Sequence, residues 1–366
     1  MKRFRNIFFA ILLGAVLLAC ESVRYYGQAA KGQLTQIFAA RPIAVLIEDP
    51  EQPPRLRDRL SLILDIRQFV EDEMLLPAGK SYLRYVDLQR EYVVWNVFAA
   101  PELSLQALRW CYPIAGCVSY RGYFSEQGAQ RKALQLEEQG YDVYVGGVDA
   151  YSTLGWFSDP VNNAFIRRSE AQLVNLIAHE LAHKRFYVAG DTQFNESYAS
   201  FVGQEALRRW VGQKNEMTNE TELLDIFRRD LLLQEEFVAL IMHYRERLST
   251  LYDSTLDEAA MRAEKRSLQA QLRQDYQSKR LQWGDGRYDR WFAGPLNNAQ
   301  LSTVADYNAL VPAFSVLLQN CQQDMDCFYQ QVETVASMDA EQRQQHLSAL
   351  LPAALPATGQ ASPPVR

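Results

Sequence analysis

Histidine is scarce in this 366-residue chain, with four residues. Cysteine is scarce and odd, with five, so the cysteines cannot all pair within the chain. There is no basic run: 44 acidic residues outnumber 38 Lys and Arg, for a net charge of −6. That balance excludes a nucleic-acid partner held by phosphate neutralisation, which needs clustered Lys and Arg. The apolar stretch near the N-terminus, Ile7 to Ala19, has thirteen residues, short of the roughly 20 that cross a bilayer as a helix. No internal repeat is visible. What is present is ordinary: 48% hydrophobic and 22% charged residues, enough to bury a sizeable core and to exclude general disorder. The length suggests one to three domains.

The N-terminus reads as an address. Met1 to Arg5 is basic, the apolar stretch follows, and a small residue precedes Cys20. A basic segment, a short apolar segment and a small-residue cleavage site make a secretory signal peptide. Leu17-Leu18-Ala19-Cys20 also resembles a bacterial lipobox, in which the cysteine becomes lipid-modified and is the new first residue. The expected organisation is a signal peptide over 1–19 and a mature chain from Cys20. Loss of Lys2, Arg3 and Arg5 takes the net charge from −6 to −9. This accounts for the odd cysteine. Cys111, Cys117, Cys321 and Cys327 remain, in two pairs with five residues between partners. In an oxidising compartment three connectivities are open, and local bridges are the simplest. A four-cysteine zinc site is disfavoured, because these gaps are wider than usual zinc spacing.

Along the chain, 42–165 reads as an α/β part and 166–350 as a helical part, with a disordered Ala/Pro/Gly/Ser tail over 351–366. Helices are expected at 21–40, 55–76 and 125–139, and strands within 82–100, before Ser119 and over Tyr141 to Gly147. Two long antiparallel helices, 222–250 and 255–283, should turn near Tyr252-Asp253-Ser254, and further helices are expected at 299–319 and 323–348. The fold class is α+β, predominantly helical.

His179-Glu180-Leu181-Ala182-His183 matches H-E-x-x-H. Ser169 and Gln172 form a capping-box pattern ahead of it. Leu173, Val174, Ile177 and Leu181 fall on one helical stripe, and the two histidines share the opposite face. Two imidazoles one turn apart can both reach one Zn²⁺, with Glu180 beside the metal as a base. The third ligand is expected to be Glu196, on a second antiparallel helix reached through a turn at Gly190 and capped by Asp191 or Thr192. The motif helix should end near Tyr187. Asp191 or Asn195 could orient the imidazoles. His243 and His346 are expected to be bystanders. An oxyanion donor is needed, with Tyr307 the first candidate and Tyr198 the second. The strand from Tyr141 to Gly147, leading into Tyr151 to Gly155, is placed to hold an extended substrate.

At these residues the chain resembles a bacterial family of lipoprotein zinc peptidases described as aminopeptidases, of the H-E-x-x-H…N-E-x-x-A, gluzincin-like kind. The resemblance extends to Tyr25-Tyr26, Arg41 to Ala44, Tyr92 to Val97, Trp110 to Cys117, Ser119 to Phe124 and Ala150 to Pro160. The chain departs from the family at Ala178 and Lys184, neither a ligand position. The resemblance implies a zincin-like zinc peptidase cleaving a peptide or protein substrate in the bacterial envelope, lipid-anchored to a membrane and facing the periplasm. An aminopeptidase needs a carboxylate for the substrate's free amine; Glu126, Asp149 and Glu205 are available. The competing readings are an endopeptidase acting on envelope proteins and a catalytically silent envelope lipoprotein.

Overall fold

The computed structural model describes residues 25–112, 116–149, 158–218 and 221–351. The signal segment 1–19, Cys20, the tail from 352 and residues 151–155 of the expected substrate strand lie outside them. The described architecture is α+β. Helix α1, residues 25–39, leads into strand β1 (Arg41–Pro42), α2 (Ile43–Glu48) and α3 (Pro54–Asp72). Then come β2 (Arg84–Val86), β3 (Val94–Pro101), β4 (Trp110–Tyr112), β5 (Gly116–Val118), β6 (Tyr120–Tyr123), α4 (Glu126–Glu137), β7 (Tyr141–Val148) and β8 (Val161–Asn162). From there the described chain is helical: α5 (Glu170–Arg185), α6 (Thr192–Thr218), α7 (Thr221–Tyr252) and α8 (Glu258–Trp283). A short α9 (Asp289–Phe292), α10 (Asn298–Asn308), α11 (Val311–Asn320), α12 (Met325–Ser337) and α13 (Ala340–Ala349) complete it.

The principal sheet is antiparallel with order β6-β3-β7. Strand alternation divides its faces. Val97, Ala99 and Val143 pack on Ala129, Ala133 and Leu136 of α4. On the opposite face Phe98 lies between its cross-strand neighbours Tyr120 and Tyr144. The β4–β5 hairpin pairs Cys111 opposite Cys117, and these two are disulfide-bonded. Cys321 and Cys327 are also joined, tying the end of α11 to the first turn of α12.

Besides the cluster between the sheet and α4, two apolar cores hold helices together. The larger is built by α3, α5, α6, α11 and α12, and the other by the α7–α8 hairpin with α9 and α10. A buried polar junction joins that hairpin to the sheet. Lys265 pairs with Asp142 at 2.6 Å, and Asp142 also accepts the Asn298 N–H at 2.9 Å. The Asn298 amide lies within hydrogen-bond distance of the carbonyls of Pro101, Glu102 and Ser104. This fixes the start of α10 against the sheet and aims its far end at α6.

Two expected helices are each divided in two. The 299–319 segment breaks between Asn308 and Val311. Pro312 sits in the first turn of α11, where its ring replaces the N–H that a continuous helix would bond to Asn308. The 323–348 segment breaks at Met338, and Asp339 starts α13 by accepting the Gln342 N–H. The apolar segment Ile43–Glu48 forms α2.

Candidate metal centre

Helix α5 starts as its sequence requires. The Ser169 hydroxyl accepts the Gln172 N–H at 3.2 Å, and the Gln172 side chain accepts the Ser169 N–H at 3.1 Å. The helix ends at Arg185, slightly before the expected Tyr187, because Phe186 is already extended. A tight turn follows through Gly190, which takes a positive φ of 85°. Asp191 caps α6 by accepting the Phe194 N–H at 3.0 Å. The Asn195 side chain clamps the turn, accepting the Val188 N–H and donating to the Val188 carbonyl, both at 2.8 Å. Further along, a β-carbon on Gly203 would lie 2.7 Å from the Asn175 carbonyl oxygen. Glycine at that point lets α6 run against the backbone of α5, so that Glu196 returns to the two histidines.

His179 Nε2 and His183 Nε2 lie 3.2 Å apart. Glu196 Oε2 is 3.4 Å from the first and 3.6 Å from the second. These three atoms form a nearly equilateral triangle. A tetrahedral site with zinc–ligand distances of roughly 2.0–2.1 Å spaces its ligand atoms about 3.3–3.4 Å apart. A shared proton can satisfy one edge of the triangle, whereas a cation satisfies all three. The donor set therefore fits a metal ion, and these residues could hold one. The three groups also shift one another's titration. Burial acts to raise the Glu196 carboxyl, but the two imidazoles outweigh it and hold the group well below the usual carboxylate range. Burial acts to lower His183, and Glu196 outweighs it, leaving the ring above its ordinary value.

Glu180 is partly open to solvent. Burial is still the largest influence on its carboxyl and raises it, opposed by His179 and His183 and assisted by Glu196 and Asp159. It is thus an acceptor with raised proton affinity and no ligand position in the triangle. Tyr307 comes from α10. Its ring stacks on His179 with centroids 5.9 Å apart and planes 10° apart. Burial, then the charge of Glu196, pushes its hydroxyl well above the ordinary value, so the phenol keeps its proton and remains a donor.

Several expected roles go elsewhere. Tyr198 is not at the cluster: its ring is buried among Phe186, Phe194, Phe314 and Phe328. Its hydroxyl has no hydrogen-bond partner among the described residues. Neither Asp191 nor Asn195 orients an imidazole, since both are used in the α5–α6 turn, and Asp191 also receives Arg343 at 2.8 Å. His183 Nδ1 is buried with no partner among the described residues. Of the candidate amine-binding carboxylates, Asp149 is held bidentately by Arg168, and Glu205 by Arg208 and Arg209. Glu126 lies in the first turn of α4. The strand β7 packs on α4 and α10, while the main neighbours of α5 are α3 and α6.

Two features near the cluster escaped the sequence reading. Lys184, one turn past Glu180, donates to the Ser81 hydroxyl and lies 3.9 Å from the buried Asp159 carboxylate. The helical spacing from Glu180 was available as a signal, but its partners come from distant loops. Asp306, beside Tyr307, accepts the Ser119 hydroxyl at 2.8 Å. No local pattern links those two positions.

Two histidines and one carboxylate that could hold a metal ion, with a second carboxylate beside them, are a donor set of the kind hydrolytic metal sites use. A family model described as "Putative aminopeptidase" matches residues 24–347. The chain belongs to that family. No curated protein and no solved structure matches it.

Proposed function

We propose that the chain is a zinc-dependent peptidase that acts as an aminopeptidase, anchored by a lipid on Cys20 at a bacterial envelope membrane and facing the periplasm. The observation that carries the catalytic reading is the convergence of His179, His183 and Glu196 with Glu180 beside them. Zinc held there would supply a Lewis acid that makes water nucleophilic near neutral pH and polarises the scissile carbonyl. Glu180 takes the proton of the attacking water and passes it to the leaving amine. Its raised proton affinity suits both halves of that transfer. The Tyr307 hydroxyl, kept protonated, donates to the oxygen that gains negative charge. Stacking on His179 limits the swing of the Tyr307 ring.

The test is peptide cleavage by the purified chain with and without a chelator, beside Glu180→Gln. Wild type should cleave, lose activity on chelation and regain it with zinc, while Glu180→Gln binds zinc and is inert. Zinc-loaded wild type as inert as the variant would remove the peptidase reading. Release of the first residue alone supports aminopeptidase action, and internal cuts support an endopeptidase.

A further inference from the structure

Helix α1 is built with its polarity reversed. Residues 26, 27, 30, 31, 34, 35, 38 and 39 are exposed, and spacing by three and four puts them on one face. That face carries Tyr26, Leu34 and Phe38, which are 48%, 45% and 80% exposed. Val45, on the adjoining α2, is 53% exposed. The inward face is the more polar one. It carries Gln28, whose side chain accepts the Phe124 N–H at 2.9 Å, together with Gln33 and the buried Gln36. A helix shaped only for water would place these residues the other way round.

Charge points the same way. Between Glu21 and Glu48 there is no acidic residue, in a chain that contains 44, and Arg24, Lys31 and Arg41 lie within the gap, the last of them 3.6 Å from the Asp49 carboxylate. A basic, acid-free segment is complementary to anionic lipid headgroups. The helix is also held firmly to the body. Tyr25 stacks on Tyr112, their hydroxyls are 3.1 Å apart, and the Arg121 guanidinium sits 4.2 Å from the Tyr25 ring centre. Only residues 21–24 separate Cys20 from the helix, a reach of roughly 17 Å at full extension.

We propose that the exposed face of α1 lies in the interface of a phospholipid bilayer as a second membrane contact beside the lipid. The proposal rests on the Cys20 anchor reading. Stable membrane attachment commonly needs two such signals. Because α1 is fixed to the sheet through Tyr25, this contact also sets the orientation of the catalytic body on the membrane.

The test uses the full chain bound to vesicles of phosphatidylethanolamine and phosphatidylglycerol, with and without brominated acyl chains. Phe38→Trp is compared with Leu281→Trp, a site on α8 that is 81% exposed, and each is read as emission added over wild type. The added emission at position 38 should be lost in brominated vesicles, and that at position 281 retained. Retention at position 38 in vesicle-bound chain would overturn the proposal. A blue shift there without bromine quenching would assign the face to contact with a second copy of the chain, and also overturns it. Mass analysis of Cys20 scores the anchor separately. An unacylated chain that still binds vesicles and is quenched at position 38 removes the anchor and keeps the face, whereas an acylated, vesicle-bound chain that is not quenched at position 38 keeps the anchor and removes the face.

Discussion

Asp306 should make the folded protein less stable as pH rises from 4 to 7. Its carboxylate accepts the Ser119 hydroxyl at 2.8 Å, and its backbone carbonyl accepts the Ser197 hydroxyl at 3.1 Å. Burial pushes the carboxyl from its ordinary 3.8 up to about 6, against the Ser119 hydrogen bond and the Arg245 guanidinium and with help from the charge of Glu196. An acid whose folded pKa lies above its unfolded value binds its proton more tightly when folded. Below about pH 4 it is protonated in both states and adds no pH-dependent cost. Between about pH 4 and 6 the unfolded chain releases the proton first, and stability is lost. Above about pH 6 the full cost is present. The gap between 3.8 and about 6 corresponds to about 3 kcal/mol.

The perturbation is Asp306→Asn, which keeps an acceptor for Ser119 and cannot ionise. Urea unfolding of wild type and variant between pH 4 and 8, followed by fluorescence, gives a stability difference at each pH. Other titrating groups cancel from that difference to first order. It should move in favour of the variant by up to about 3 kcal/mol between pH 4 and 7 and then level off. A difference that stays flat would mean that burial does not raise the Asp306 carboxyl in the folded chain. A difference moving the other way would mean that Arg245 outweighs burial and that the ionised form is the favoured one.

Tyr307→Phe should lower kcat by about 10²–10³ with a smaller change in KM, as measured by steady-state peptide hydrolysis; an unchanged kcat would take Tyr307 out of the reaction. Tyr198→Phe should leave activity intact and be neutral or stabilising by up to about 1–2 kcal/mol, because it removes a buried hydroxyl without a partner among the described residues; marked destabilisation in urea would show that the hydroxyl is satisfied. Gly203→Ala forces a β-carbon to within 2.7 Å of the Asn175 oxygen unless α6 moves. It should cost about 1–3 kcal/mol despite the roughly 1 kcal/mol gained in helix propensity, and zinc titration should show weaker binding; unchanged affinity would uncouple helix spacing from the ligand triangle. Glu196→Ala should lose bound zinc by metal analysis while His243→Ala keeps it, and equal zinc in both would exclude Glu196 as a ligand.

The parts of the candidate site that the sequence made legible are those whose geometry is local. His179 and His183 are one helical turn apart, the capping box fixes where that helix starts, and Gly190 with Asp191 turns the chain into the next. Within such a helical hairpin, packed closely at Gly203, the spacing brings Glu196 back to the histidines. The same local reasoning failed where a short polar side chain had two possible uses. Asn195 and Asp191 stand beside the ligands in sequence, but turn backbone groups within a few residues claim them first. Tyr198 failed for a geometric reason. It lies two residues from Glu196, about 200° around the helix, so it faces the aromatic core when Glu196 faces the histidines. Tyr307 has no local link to the motif at all. It reaches His179 because Asn298 anchors α10 to the sheet and Ser197 and Ser119 hold Asp306 near its other end. A reaction run by Glu180 and Tyr307 together would therefore need the whole path from hairpin to sheet to α10 intact. A substitution at that distant junction, Asn298→Ala, should thus reduce kcat while leaving zinc content unchanged; loss of zinc in step with activity would show instead that α10 supports the ligand hairpin itself.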